Sequence, residues 1–285
     1  MVCSKIRCKE QGNYFGGTGN NFPLPFAALF VSHGAPNVIL GESPAKHFLQ
    51  QLPTMLPGKP DAIIVVSAHW ETRHPTVSGS KINETIYDFG GFEAELYALR
   101  YPAAGAPQLA NRVSNLARKA GLEIAIDPSR GLDHGAWVPL MLAWPNADIP
   151  VIQLSVQPHA GVEHHLRMGA LLRPLTRENI LIIGSGSVTH DLRSYVPHRY
   201  NAAAAESQWV TAFADWMHNR IVAKDETALV NYRSEAPDAV RNHPTEEHLL
   251  PLFVALGASG KQKPPGVLHQ SSTHGVLRMD AYAFG

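Results

Sequence analysis

Several of the 15 histidines in this 285-residue sequence lie just after short apolar runs. Residues 27–31 lead into His33, and residues 62–66 lead into His69. Runs of this kind are typical of buried strands, and open α/β sheets bind ligands outside the carboxyl ends of their strands. We therefore expect these two imidazoles to meet across one crevice, where they could bind a metal ion or move a proton.

Two more histidines have neighbours that suggest a site. Residues 180–183 form another apolar run, followed by Gly184, Gly186 and then His190, and the glycines would let the backbone approach a ligand closely. A phosphate-binding loop is the alternative, but the spacing matches neither a P-loop nor a dinucleotide-binding motif. His134 stands beside a glycine and near a tryptophan, which indicates a tight loop under an aromatic wall.

The segment 243–248 resembles the start of a helix. Residues 243–245 would supply the N-cap and a proline in the first turn, and the helix dipole would favour Glu246 and Glu247 there. These roles do not explain His248. A positive helix N-terminus would keep His248 neutral, and a neutral imidazole is what a metal ion requires.

Taken singly, each of these histidines is more often a hydrogen-bonded structural residue than a ligand. Taken together they favour a different interpretation. Four or five imidazoles on one edge of a sheet are hard to satisfy without a cation or a proton-transfer task.

Alternating strands and helices must position these side chains. The apolar runs predict buried strands at residues 27–31, 62–66, 149–156 and 180–183. Helical spacing appears at residues 43–52 and 106–120, and in an aromatic stripe expected to pack in the core: Trp209, Phe213 and Trp216. The pattern predicts an α/β fold, a single domain with a mostly parallel central β-sheet flanked by helices on both faces.

The first 24 residues lack this periodicity and are rich in glycine and asparagine. We expect residues 1–24 to form a flexible N-terminal extension and residues 25–285 to form the catalytic domain. Cys3 and Cys8, the only cysteines, both lie in the extension. They supply no disulfide framework and no four-cysteine metal site, so we interpret them as reduced and incidental.

Charge and hydropathy exclude several classes of partner. Lysine plus arginine equals aspartate plus glutamate at 24 each, so no net field attracts nucleic acid or an anionic membrane. The apolar runs are far shorter than the roughly 20 residues of a spanning helix. No apolar stretch follows the early basic residues as in a signal peptide, so a cytoplasmic location is expected.

Six segments of the chain together carry the motifs of one known family, in the order found there. They are Ser32-His33-Gly34-Ala35-Pro36, Ser67-Ala68-His69-Trp70, Tyr87-Asp88-Phe89 with Gly91-Phe92, Leu132-Asp133-His134-Gly135-Ala136-Trp137, Gly184-Ser185-Gly186 with His190-Asp191-Leu192, and His243-Pro244 with Glu247-His248-Leu249-Leu250-Pro251-Leu252. On these residues the chain resembles the class III extradiol ring-cleavage dioxygenases, in their 4,5-DOPA extradiol dioxygenase (LigB-type) branch. The resemblance covers most of the chain after about Leu24.

The resemblance implies that His33 and His69 bind a metal ion and that the segment 243–248 supplies a third ligand. His248 is our choice for that ligand. Relatives of this fold use a carboxylate, as in the two-histidine, one-carboxylate triad of non-haem iron oxygenases. Glu247 and then His243 therefore remain the alternatives, either as the ligand or as residues behind it.

The resemblance also implies that His190 is the catalytic acid/base and that His134 is a second histidine lining the substrate site. Both roles suit the chemistry. A catechol must lose protons to chelate a metal, and an unperturbed histidine titrates near pH 6.5.

The implied function is oxidative opening of a catechol ring by dioxygen. One divalent metal ion per chain is expected, with Fe(II) as the working metal and Zn(II) plausible as a bound species, because three neutral imidazoles also suit zinc. The partners are then a small aromatic diol and O2.

Two alternatives use the same residues. A zinc hydrolase would activate water with the same histidines and would need neither dioxygen nor a catechol. A non-enzymatic binding scaffold is the second alternative, since one branch of the superfamily has signalling roles. The presence of both His134 and His190 disfavours it.

Overall fold

The structure is a computed structural model that describes residues 28–260 and 264–285. The predicted extension at residues 1–24, with Cys3 and Cys8, lies outside the described residues. The first residue of the strand predicted at 27–31 lies outside them too.

An eight-stranded sheet forms the centre of the fold. Over the described residues the strands are β1 Ala28–Ser32, β2 Ala62–Glu71, β3 Thr76–Ser78, β4 Ala125–Asp127, β5 Val151–Val156, β6 Ile180–Gly186, β7 Gly266–His269, β8 Ser272–Thr273, β9 Leu277–Arg278 and β10 Ala281–Phe284. The strand order of the sheet is β4-β3-β5-β2-β6-β1-β10-β7, and β5, β2, β6 and β1 run parallel. β10 and β7 add an antiparallel edge, and β8 pairs separately with β9.

Helices connect the strands and cover the sheet. In the described part of the chain the α-helices are α1 Pro44–Gln51, α2 Pro107–Lys119, α3 His134–Ala143, α4 Gly161–Thr176, α5 Leu192–Tyr195, α6 Gln208–Ala223, α7 Glu226–Val230, α8 Tyr232–Glu235, α9 Ala239–Asn242 and α10 Leu250–Ala258. Short 3₁₀ helices lie at Pro36–Ile39, Leu52–Met55, Ala94–Ala98, Pro158–Ala160 and Val196–His198.

The sheet is buried on both faces because most positions of its central strands are apolar, with successive apolar side chains on opposite faces. In β2, Ile63 and Val65 face one core cluster with side chains of α1 and α3. Ile64 and Val66 face the other cluster, with α2, α4, α6 and α10. Full burial of one such side chain contributes about 1.5–3 kcal/mol. The predicted single α/β domain with helices on both faces is therefore confirmed.

Most predicted elements are present, with shifted ends. α1 begins after Ser43, whose side chain accepts a hydrogen bond from the Lys46 N–H as an N-cap. The aromatic stripe lies on α6, where Phe213 is fully buried. Trp216 is partly buried and packs against the same core cluster, and Trp209 is partly buried against a smaller one. No helix within the described ranges is long and apolar enough to cross a membrane.

Candidate metal centre and active site

His33 and His69 lie at the carboxyl ends of β1 and β2, the two strands that flank β6. His33 directly follows β1, and its backbone N–H donates to the Gly186 carbonyl on β6, 3.0 Å away. His69 lies inside β2 rather than after it as predicted, because β2 continues to Glu71 past a register shift against β5. The shared carboxyl edge of the parallel strands brings both side chains to one place.

His248 reaches the same edge of the sheet from a later segment of the chain, close to the start of α10. The predicted helix start at residues 243–248 is wrong: α10 begins at Leu250, with Pro251 in its first turn and Leu249 as the N-cap. His243 instead ends α9 as its C-cap. His248 thus lies two residues before the helix that packs on β6.

The glycines of β6 make this packing possible. Gly184 and Gly186 belong to the strand and not to a ligand-binding loop as expected. A Cβ at Gly186 would lie 2.1 Å from the His248 carbonyl oxygen, and one at Gly184 would lie 2.2 Å from that of Pro251. The close approach is therefore between two backbones, and the Ser187 N–H completes it by donating to the His248 carbonyl at 2.8 Å.

Three imidazole nitrogens converge at this edge. The Nε2 atom of His69 lies 3.1 Å from that of His33 and 3.2 Å from that of His248. His33 and His248 are almost completely buried, with 3% and 4% of their surface exposed. His33, His69 and His248 form a group whose ligand atoms could hold one metal ion.

The other ring nitrogen of each of these histidines, Nδ1, faces a hydrogen-bond acceptor. Ser185 donates its hydroxyl hydrogen to the Gly135 carbonyl, so its oxygen must accept from His33 Nδ1–H at 3.0 Å. Glu247 Oε1 lies 2.9 Å from His248 Nδ1, and Asp88 Oδ2 lies 3.3 Å from His69 Nδ1. The hydrogen bonds place the hydrogen on Nδ1 of His33 and His248, and the nearby carboxylate favours the same tautomer for His69. Each ring then leaves an unprotonated Nε2.

Three buried lone pairs pointing at one another repel unless a cation lies among them. The donor set fits a metal ion for this reason, since neutral imidazoles are common ligands of divalent transition metals. Burial, the largest cause, lowers the pKa of His69 to about 3 and that of His33 and His248 well below the ordinary value. The rings are thus neutral, as ligation requires.

The two alternative third ligands, Glu247 and His243, lie outside the group of His33, His69 and His248, although Glu247 forms a second possible metal-binding group with His190 and His248. Glu247 accepts from Thr245 Oγ1 as well as from His248 Nδ1, so its Oε1 lies behind the His248 ring. His243 donates from Nε2 to the Val188 carbonyl at 2.7 Å and is fully buried. Burial lowers its pKa to about 4.

His134 lies against the His69 ring, with centroids 3.9 Å apart. It is the first residue of α3, so the expected tight loop is wrong; Asp133 caps this helix by accepting from the Ala136 N–H at 3.2 Å. Asp88 Oδ1 accepts from the His134 N–H at 2.9 Å. Burial acts to raise the pKa of Asp88, but the hydrogen bonds and positive potential from His134 hold it below its ordinary value.

His190 lies next to a different ligand candidate, His248. Its ring stacks on that of His248, and its backbone N–H donates to the Asn242 carbonyl at 2.8 Å. Burial lowers its pKa to about 3. His134 and His190 thus flank the three converging nitrogens.

Aromatic side chains line the approach next to His134. Phe89 meets the His134 ring edge to face, with centroids 5.5 Å apart, and it also contacts Phe92, Tyr97 and Trp137. The expected aromatic wall is present, although Phe89 and not Trp137 faces the histidine.

Sequence reasoning gave no role to Asp88 and Ser185. Both belong to segments that matched the family, but a serine in a strand and an aspartate in a loop carry no local signal of contact with a distant histidine. Only the assembled sheet brings Ser185 to His33.

Residues 27–285 match the family described as the catalytic LigB subunit of aromatic ring-opening dioxygenase. The chain belongs to this family. Membership makes it an extradiol ring-opening dioxygenase, an oxidoreductase that acts on an aromatic substrate with O2 in a metal-dependent reaction. The candidate site of three histidines lies within the matched residues.

Curated relatives and a solved structure agree with this membership. The chain is 43% identical over 259 residues to a Beta vulgaris protein named 4,5-DOPA dioxygenase extradiol, covering 90% of this chain and 95% of that one. An Escherichia coli K12 protein of the same name is 36% identical, covering 90% and 94%. The crystal structure of an uncharacterized E. coli K12 protein superposes with a TM-score of 0.76 at 33% identity, covering 91% of this chain and all of that one.

Proposed function

We propose that this dioxygenase opens the ring of a DOPA-like catechol and that Fe(II) held by His33, His69 and His248 is its working metal. The convergence of three unprotonated Nε2 atoms carries the proposal. Three curated plant relatives named 4,5-DOPA dioxygenase extradiol, at 38–43% identity, support the choice of substrate. The catalytic unit is taken as residues 25–285, with residues 1–24 as an extension to it.

The bound metal would supply adjacent open positions for the catecholate and dioxygen and so bring them together. Iron is preferred to zinc because zinc has no redox chemistry. Zinc generally binds nitrogen sites more tightly than Fe(II), so zinc bound in the purified protein would not contradict iron as the working metal.

Two histidines next to the metal position are assigned roles in proton transfer and hydrogen bonding. His190 is assigned as the acid/base residue: its neutral ring can accept a proton from a catechol hydroxyl and return it to an oxygen of the opening ring. His134 is assigned to the substrate side, where a ring nitrogen can accept a hydrogen bond from the diol. Phe89 beside it offers an aromatic edge against which the ring can pack.

Metal-dependent oxygen uptake tests this proposal. Metal-free protein would be loaded anaerobically with Fe(II) or Zn(II), then given L-DOPA and air-saturated buffer. We expect oxygen uptake and ring-opened product only in the Fe(II) sample. Ring opening by rigorously iron-free zinc protein would overturn the iron assignment. Absence of ring opening with either metal, over a panel of catechols, would overturn the catechol assignment.

A further inference from the structure

One carboxylate connects the metal centre to the substrate side. Asp88 Oδ2 lies 3.3 Å from His69 Nδ1. Its other oxygen accepts from the His134 backbone N–H at 2.9 Å and lies 3.0 Å from His134 Nδ1. The residue as a whole is exposed, but its carboxylate side chain is mostly covered, with 21% of the side-chain surface exposed.

The two contacts constrain each other. The backbone N–H of His134 can only donate, so it fixes which oxygen of Asp88 points toward α3. The second oxygen then faces His69 Nδ1 at 3.3 Å, and a carboxylate oxygen can only accept. This carboxylate favours the His69 tautomer with hydrogen on Nδ1, which leaves the Nε2 lone pair for the centre.

We propose that Asp88 is a positioning residue that sets the tautomer of His69 and fixes the His69 ring relative to His134. The inference rests on the proposed role of His69 as a metal ligand. Asp88 would then have at His69 the role that Glu247 has at His248 and Ser185 has at His33. Asp88 also accepts from the backbone N–H of His134, the first residue of α3, so one side chain sets the geometry on both the metal side and the substrate side.

The substitution Asp88→Asn separates this role from a merely structural one. The side-chain carbonyl of the introduced amide must face the His134 N–H, because the opposite orientation would place two donors together. The amide NH2 then faces His69 Nδ1 and favours the tautomer with hydrogen on Nε2, which cannot bind a metal. Asp88→Asn thus keeps the size of the side chain and its contact with α3. At His69 Nδ1 it replaces a hydrogen-bond acceptor with a donor.

The test compares zinc affinity and histidine tautomers in the full-length protein. Zn(II) dissociation constants would be measured by competition with a chromophoric chelator for wild type, Asp88→Asn, His69→Ala and Asp225→Asn. Asp225 is a matched control, since its carboxylate caps α7 through the Ala228 N–H and lies in another part of the fold. Nitrogen-15 NMR of the metal-free proteins would identify the protonated ring nitrogen of His69.

We expect Asp88→Asn to bind zinc about 10–100-fold more weakly and to shift the His69 hydrogen from Nδ1 to Nε2, with Asp225→Asn unchanged in both. Wild-type affinity and tautomer in Asp88→Asn, with zinc lost in His69→Ala, would overturn the role of Asp88 and leave the metal site standing. Wild-type affinity in His69→Ala would overturn both.

Discussion

The imidazoles of His190 and His248 stack face to face, with ring centroids 3.3 Å apart and planes inclined by 11°. This contact fixes His190 beside the metal centre through its ring face. His248 Nε2, in contrast, points to His69 Nε2. The two neighbouring histidines are therefore expected to differ in function.

Substitution of His190 should remove turnover and leave the metal. For His190→Gln we expect metal content near that of wild type and a kcat lower by about 10²–10⁴-fold, the usual contribution of a general acid/base residue. His33→Ala should lose metal and activity together. Metal analysis and oxygen uptake with one catechol measure both. Loss of metal in His190→Gln with retention in His33→Ala would mean that the two roles are reversed.

Metal binding by substituted proteins can also distinguish His248 from the other candidates for the third metal ligand. His248→Ala should abolish stoichiometric metal binding. Glu247→Gln should weaken it by only about 10-fold, since removing a hydrogen-bond partner of a ligand costs less than removing the ligand. His243→Gln should keep the metal, because His243 Nε2 bonds to the Val188 carbonyl. Complete metal loss in Glu247→Gln with retention in His248→Ala would make the carboxylate the ligand.

A single methyl group at Gly135 should disturb the centre. A Cβ there would lie 2.6 Å from Ser67 Oγ and 3.0 Å from His69 Cδ2, so Ser67 Oγ must shift and the His69 ring must give by a few tenths of an ångström. Alanine favours a helix over glycine by about 1 kcal/mol, so α3 itself should not weaken. We therefore expect lower turnover in Gly135→Ala, by less than the about 10²-fold that a displacement on the order of 1 Å can cause.

Gly58→Ala is the matched control for Gly135→Ala, because nothing lies within 4 Å of its added Cβ. Oxygen uptake and thermal unfolding of both variants make the comparison. Full turnover in Gly135→Ala would show that the packing around His69 is looser than described.

Features that depend on neighbouring residues could be predicted from the sequence, whereas contacts between residues far apart in the chain could not. The strands before His33 and His69 were predicted because buried parallel strands are continuous apolar runs. The start of α10 was predicted too early because Pro244 and the two glutamates form a pattern typical of a helix N-terminus. In the structure, Glu246 accepts a hydrogen bond from the Tyr232 hydroxyl. Residues that act through distant partners, such as Asp88 and Ser185, leave no local pattern to find.

His165 should make the protein less stable as the pH falls. Its Nε2 accepts from the Gln157 N–H and its Nδ1–H donates to the Gly161 carbonyl, at 3.1 and 2.7 Å, so the buried ring is neutral. Burial lowers its pKa to about 4, below the value near 6.5 of an unfolded chain. Above pH 6.5 the ring is neutral in both states and adds no pH dependence.

Between about pH 6.5 and 4 the unfolded chain binds a proton that the folded chain does not, so His165 lowers the free energy of unfolding by about 3 kcal/mol over that range. Urea unfolding of wild type and His165→Gln from pH 7.5 to 5 measures this, and the variant should show a shallower decline. Parallel curves for the two proteins would contradict the assignment.

The most direct test of the metal centre is zinc anomalous diffraction from crystals of the wild-type protein. The centre described above predicts one anomalous peak at about 2.0–2.1 Å from the Nε2 atoms of His33, His69 and His248. A peak bound by the Glu247 carboxylate or by His243 in place of His248 would contradict the third ligand. A peak away from all three Nε2 atoms would contradict the site and the ring-opening centre built on it.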